Sequence, residues 1–205
     1  MFEITAIQAQ VKDKGRCNIY LDGQFYCGLK AETVYRYKLK VGQKIEQSTL
    51  EEMQFENEKM QALDKAFSYL SATMKTERQM RDYLSKKGYL PSVCDYVIEK
   101  LHYYKLLDDA FYSKQYIKSA SKTKGARRIS LELRQKGVDV DTIDDALLTI
   151  EDAEQRAKEV LEKYMRHKVE TKENLAKAFR YLLSRGFSYD DAKTALANYG
   201  IEEEY

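Results

Sequence analysis

The chain has 205 residues, of which 43% are hydrophobic and 33% charged, with a formal net charge of +2. That length allows one large domain or several small ones, and the composition can bury a core beneath a highly charged surface. A net charge this small gives no global attraction to nucleic acid, so any electrostatic argument must be local.

One proline and nine glycines leave few breaks and favour helix over most of the length. The opening MFEITAIQAQVKDKG has early charges and no apolar centre, so no secretory signal is expected. No run approaches the ~20 apolar residues of a membrane span. Cys17, Cys27 and Cys94 are odd in number and lack metal-ligand spacing. Free thiols in a reducing cytoplasm are expected.

The N-terminal part reads as strands. Cys17 to Leu21 and Gln24 to Cys27 alternate around Asp22-Gly23, the strongest short hairpin signal. With a two-residue turn, Leu21 faces Gln24, Asn18 faces Cys27 and Cys17 faces Gly28. This places Cys17 and Cys27 on opposite faces. Ile4 to Val11 supplies another strand. Glu32 to Lys38 reads as a short helix, followed by a turn around Gly42 and a short strand. From Thr49 the pattern becomes helical, with Leu50, Met53, Met60, Leu63, Phe67 and Leu70 mostly at three- and four-residue steps.

Beyond this helix a repeat emerges. Gly88, Gly137 and Gly186 stand 49 residues apart. Leu84, Leu133 and Leu182 precede them; Tyr89, Val138 and Phe187 follow them. A glycine just past a helix end can adopt the left-handed conformation that closes a Schellman cap, and the flanking apolar residues then meet. Met80, Ile129 and Ala178 extend the inner face before each glycine; Cys94, Ile143 and Ala192 resume it afterwards. Pro91, Asp139 and Ser188 suit the start of the next helix, and Thr76, Gly125 and Asn174 the start of the preceding one. A further helix precedes each hinged pair: the end of the long helix around Ala66 to Leu70, then Asp108 to Ser121, then Asp152 to Lys168.

The expected fold is therefore mainly α: three tandem three-helix modules forming an elongated curved protein after a small β-hairpin-containing segment. The expected divisions are 1–48, 49–106, 107–150 and 151–205. Modules this small should pack on their neighbours.

Lys114, Lys118, Lys122, Lys124, Arg127, Arg128, Arg134 and Lys136 form a block with a single acidic residue, Glu132. Most charge runs are solvated helix faces. The local sign bias and its clustering at a helix start make this one a candidate surface for phosphate or an acidic protein. Lys87, Lys136 and Arg185, each before a hinge glycine, are read as cations favoured near a helix C-terminus. Most of the 17 tyrosines are expected in cores, with Tyr103 or Tyr104 the leading candidates to stack on bases. A DNA-reading helix-turn-helix is disfavoured because the helix after Gly137 carries Asp139, Asp141, Asp144 and Asp145. Asp108-Asp109 reads as a helix start rather than a catalytic pair. His102 and His167 lack metal spacing, and no phosphate-cradling glycine loop is present. No enzyme, metal or cofactor is expected.

The ordered motifs resemble the RecX family, bacterial regulators of the RecA recombinase. The second copy carries Leu107-Asp108-Asp109-x-Phe111, Lys124-Gly125, Arg128-Ile129, Glu132-Leu133 and Lys136-Gly137-Val138. The first carries Tyr69-Leu70, Thr76-Glu77, Leu84 and Lys87-Gly88-Tyr89; the third keeps mainly Leu182 and Gly186-Phe187. YLDGQFYCGL looks like the N-terminal extension of some members. Gln79-Met80 departs from a commoner acidic residue and leucine. The resemblance implies a non-enzymatic protein that occupies the groove of the RecA–single-stranded-DNA filament. It also implies inhibition of strand exchange, ATP hydrolysis and co-protease function. Direct DNA binding occurs in some members. A cytoplasmic monomer without a membrane partner is expected, and the alternative is a sequence-independent DNA- or RNA-binding helical module.

Overall fold

The computed structural model describes residues 1–11, 13–197 and 199. Strands β1 (Phe2–Ala9), β2 (Arg16–Leu21), β3 (Gln24–Lys30) and β4 (Lys44–Ile45) form an antiparallel sheet in the order β3-β2-β1-β4. Asp22 and Gly23 both have positive φ, 47° and 82°, as a tight hairpin turn needs. Leu21 faces Gln24 as expected, but the pairing then shifts: Tyr20 faces Phe25 and Ile19 faces Cys27. Tyr26 is the extra residue of a bulge. Asn18 therefore faces Gly28, and Cys17 faces Leu29. One inserted residue reverses which face every later side chain takes. Cys17 and Cys27 consequently both pack against the N-terminal core, contrary to the unbulged expectation, and both are free thiols.

Helix α1 (Ala31–Arg36) follows the hairpin, and α2 (Gln47–Leu70) follows β4. Buried Asn57 of α2 serves the outer edge of β3. Its Nδ2 donates to the Gly28 carbonyl at 3.2 Å and its Oδ1 accepts from the Lys30 amide at 3.1 Å. These bonds occupy edge groups that would otherwise invite another strand. The buried stripe of α2 is Leu50, Met53, Asn57, Ala62 and Ala66. Phe67, expected in that stripe, is 38% exposed. Two alanines occupy the packed side there, so side-chain size alone misplaces the face.

Three modules follow one plan. The end of α2 is joined by α3 (Glu77–Lys86) and α4 (Pro91–Tyr103). The second comprises α5 (Asp109–Ala120), α6 (Ala126–Gln135) and α7 (Val140–Leu147); the third comprises α8 (Ala153–Met165), α9 (Lys172–Ser184) and α10 (Tyr189–Ala197). In each, the first helix packs on the third: α2 on α4, α5 on α7, α8 on α10. Gly88, Gly137 and Gly186 have φ of 87°, 88° and 89°. The amides of Tyr89, Val138 and Phe187 donate to the carbonyls of Leu84, Leu133 and Leu182 at 3.3, 3.2 and 3.2 Å, as Schellman caps require. Met80, Leu84, Ile129, Leu133, Ala178 and Leu182 all have 0% exposure, and in the second and third modules Ile129, Leu133, Ala178 and Leu182 belong to the module core.

The helix starts differ in one place from the repeat pattern. Thr76 and Gln79 form a reciprocal capping box, each bond 3.2 Å. Asp139 accepts from the Thr142 amide, and Ser188 from the Asp191 amide. In the third module, however, Thr171 rather than Asn174 caps the middle helix, accepting from the Asn174 amide at 3.2 Å.

The chain divides into two compact units: Met1–Thr73 with Arg81–Tyr103, and Met74–Met80 with the chain from Tyr104 onward. Within the second unit one joint occurs twice. Thr76 Oγ1 donates to the Lys136 carbonyl at 2.6 Å, beside the Gly137 hinge. The Gly125 amide donates to the Arg185 carbonyl at 3.0 Å, and the Arg127 amide to the Gly186 carbonyl at 3.2 Å. In the second case amides at a helix start meet carbonyls at another helix end, and in the first the Thr76 hydroxyl takes the donor's place; in both, the helix dipoles favour each other. A Cβ on Gly125 would lie 2.3 Å from the Gly186 backbone, so only glycine fits this approach. The start of α9 meets no such hinge among the described residues, which leaves its cap free to move to Thr171.

Candidate interaction surface on the second module

Helix α5 begins where Asp108 caps it, accepting from the Phe111 amide at 2.8 Å. Asp109 accepts from the Glu77 amide at 3.0 Å, so both carboxylates of this pair hold helix starts. Buried Ser113, Ile117 and Ala120 set the inner side of α5. The opposite side therefore carries Lys114 and Lys118, with Lys122 just beyond the helix; all three are exposed. In α6, buried Ile129 and Leu133 fix the inner side. The cations expected as one surface separate around this axis.

One group closes on Glu132. Lys124 Nζ donates to both carboxylate oxygens, at 2.8 and 2.7 Å. Arg128 Nε donates to Oε1 at 3.0 Å, and the Tyr116 hydroxyl to Oε2 at 2.6 Å. The Glu132 side chain is only 14% exposed. Burial alone would raise its pKa, but the bonds from Lys124, Tyr116 and Arg128 and the charge of Lys124 hold it down, to about 2. The same arrangement raises Tyr116, through burial first and then the bond to Glu132 and its negative charge. Lys136 Nζ lies 5.4 Å from the Tyr116 ring centroid, completing the cluster.

The other group faces outward. Lys114, Lys118, Lys122, Arg127 and Arg134 are exposed and form no ion pair among the described residues. Ala126, Arg127, Ser130, Leu131 and Arg134 of α6, with Leu147 of α7, line an open groove of about 530 Å³. Leu131 is 48% exposed and Leu148, beside Leu147, is 83% exposed, so the cations border an apolar floor. The sequence pattern did not reveal this groove, because Leu147 comes from a different helix. The inward cluster had a local signal: Lys124, Arg128 and Glu132 are spaced at successive four-residue steps.

The cations before the hinges have a more specific position than the end of a helix. Lys87 lies over Tyr83 at 5.6 Å, Lys136 over Tyr116 at 5.4 Å and Arg185 over Tyr181 at 4.9 Å. Tyr83 and Tyr181 also stack on Tyr69 and Tyr164, with centroids 4.0 and 4.3 Å apart. Most tyrosines near the modules thus serve packing, as expected. Tyr103 and Tyr104 are exposed, at 78% and 52%. Asp139, Asp141, Asp144 and Asp145 are all exposed on or beside α7, an unfavourable face to insert among phosphates. Among the described residues, no group of three or more His, Cys, Asp and Glu is placed to hold a metal ion. No helix among them is long and apolar enough to cross a membrane.

The helices and this surface define a tandem three-helix-repeat protein with a basic face on its middle module. Comparison with known proteins supplies the family. The RecX N-terminal domain matches residues 2–46, and the first, second and third RecX three-helix domains match 62–101, 108–147 and 151–196. A regulatory protein RecX of Bacillus subtilis (strain 168) is 32% identical over 98% of this chain and 78% of its own length. One from Clostridium perfringens (strain SM101) is 33% identical over 93% of this chain and 92% of its own. A crystal structure of regulatory protein RecX superposes with a TM-score of 0.73 at 26% identity, covering 96% of this chain and 100% of that one. RecX from Lactobacillus salivarius gives 0.62 at 26% identity, over 69% and 96%. The chain belongs to the RecX family of regulatory proteins.

Proposed function

We propose that this protein is a negative regulator of the RecA recombinase. It binds the RecA–single-stranded-DNA filament in its groove and inhibits strand exchange, ATP hydrolysis and co-protease activity. The supporting observation is the separation of cations on the second module. Lys114, Lys118, Lys122, Arg127 and Arg134 are exposed without ion pairs among the described residues, and so stand available to an acidic protein face or to phosphate. Lys124, Arg128 and Lys136 instead orient that surface through the Glu132–Tyr116 cluster. Blocking is steric and electrostatic and requires no catalytic group. The test is RecA ATPase on single-stranded DNA with this protein titrated in. Loss of ATPase supports the reading; unchanged ATPase, strand exchange and co-protease activity at saturation overturns it.

A second reading is a sequence-independent nucleic-acid module. Lys114 and Lys118 share a side of α5 with Phe111, which is 53% exposed, a pairing that suits backbone and base contact. Five phosphate contacts would make binding to bare single strands fall with salt at a log–log slope of about −3.5. Affinity for bare strands equal to that for filaments would favour this reading.

A further inference from the structure

The apolar groove between α6 and α7 is not what a phosphate-binding surface needs. Phosphate recognition is served by cations and amide donors, whereas Leu131 and Leu147 give this groove an apolar floor. The two arginines bordering it are spaced in a particular way. Arg127 and Arg134 are seven residues apart on one helix, two turns and roughly 10 Å along its axis. Leu131 lies between them on the same side. All three line the groove, and neither guanidinium forms an ion pair among the described residues.

A complementary ligand must present an apolar residue flanked by two carboxylates at the same separation. A second amphipathic helix does this with acidic residues at i and i+7 and a leucine-like residue between them. A nucleic-acid strand meets the cations but leaves the leucine floor uncovered. We propose that this groove binds an acidic amphipathic helical segment of a protein partner. The apolar anchor sits on Leu131 and Leu147, and the carboxylates pair with Arg127 and Arg134. The inference deepens the regulatory reading by naming the chemistry that the partner presents to this face, and rests on it only for the partner's identity.

The experiment uses the full chain and a synthetic helical peptide with glutamates seven residues apart and a leucine between them. Binding is followed by fluorescence anisotropy at physiological salt. Two further probes are the same peptide with its leucine replaced by serine and an oligothymidylate. The leucine peptide should bind at least tenfold more tightly than the serine peptide. The variants Leu131→Asp and Arg127→Glu/Arg134→Glu should each lose about tenfold or more, equivalent to ~1.4 kcal/mol. Lys114→Ala/Lys118→Ala should bind the peptide as wild type does. Leu131 is half-exposed, so these variants should keep the wild-type helical spectrum and melting temperature. Should Leu131→Asp unfold, Leu131→Ser takes its place. Equal binding of the leucine and serine peptides, or competition by oligothymidylate with no dependence on Leu131, overturns the proposal. RecA ATPase separates the two claims. Peptide binding without ATPase loss sinks the recombinase reading and keeps the groove; ATPase loss that Leu131→Asp leaves intact, without peptide binding, does the reverse.

Discussion

The cluster closed on Glu132 and the groove between Arg127 and Arg134 occupy different sides of one helix and use the same kinds of residue. Arg128 is held by a carboxylate at 3.0 Å, while its neighbour Arg127 forms no ion pair among the described residues. Residue type is therefore a poor guide to the purpose of a charge. The buried Ile129–Leu133 stripe fixes which way each side chain leaves the helix, and one acid on the inner flank then satisfies the cations that reach it. A run that looks like one electrostatic surface is two objects, one internal and one available to a partner.

The largest effects should come from the parts both sides share. Leu133→Ala leaves a cavity beneath the whole module and should cost about 2–5 kcal/mol in urea unfolding, with loss of partner binding. Gly125→Ala comes next. Its φ of −81° suits any residue, so the cost is steric, against the Gly186 backbone at 2.3 Å. A loss of about 1–3 kcal/mol is expected from such overpacking. Gly88→Ala sharpens the point: nothing lies within 4 Å of an added Cβ, so only the left-handed φ is penalised, by about 1–2 kcal/mol.

Single-side changes should be smaller and of opposite kinds. Glu132→Gln should lower stability by roughly 1–2 kcal/mol, because three donors lose their charged acceptor. Arg127→Ala/Arg134→Ala should leave stability within about 0.5 kcal/mol, as exposed cations without partners generally do. Acid should distinguish the sides as well. The Glu132 carboxyl is depressed in the folded protein from the ordinary 4.5 to about 2. Its contribution is therefore fully present above about pH 5 and is lost as pH falls towards 2. The stability gap between wild type and Glu132→Gln should be flat from pH 5 to neutrality and shrink steadily below that; a gap that widened with acid would contradict the cluster.

Much of the helical plan is legible because its signals are local. A glycine that must take positive φ, a leucine four residues earlier and an apolar residue just after it make a Schellman cap within a few residues of chain. Gly88, Gly137 and Gly186 all form one. What escapes the sequence is non-local. The Tyr26 bulge depends on how β2 and β3 accommodate twist, so the pairing of Cys17 and Cys27 shifts by one. Gly125 reads as an adequate helix cap, yet its necessity comes from the Gly186 backbone 61 positions away. Among the described residues the third middle helix meets no such neighbour at its start, and Thr171 caps it instead. The basic block is legible as a block, but its division around Glu132 needs the direction of each side chain, and the groove needs a second helix.

The most direct measurement compares two double variants, Arg127→Ala/Arg134→Ala and Lys124→Ala/Arg128→Ala, in binding to RecA filaments and in thermal unfolding. The first should weaken filament binding by tenfold or more with an unchanged melting temperature, and the second should lower the melting temperature by several degrees while the folded protein retains binding. Equal loss of binding in both, or loss confined to Lys124→Ala/Arg128→Ala, would contradict the assignment of the outward side to the partner.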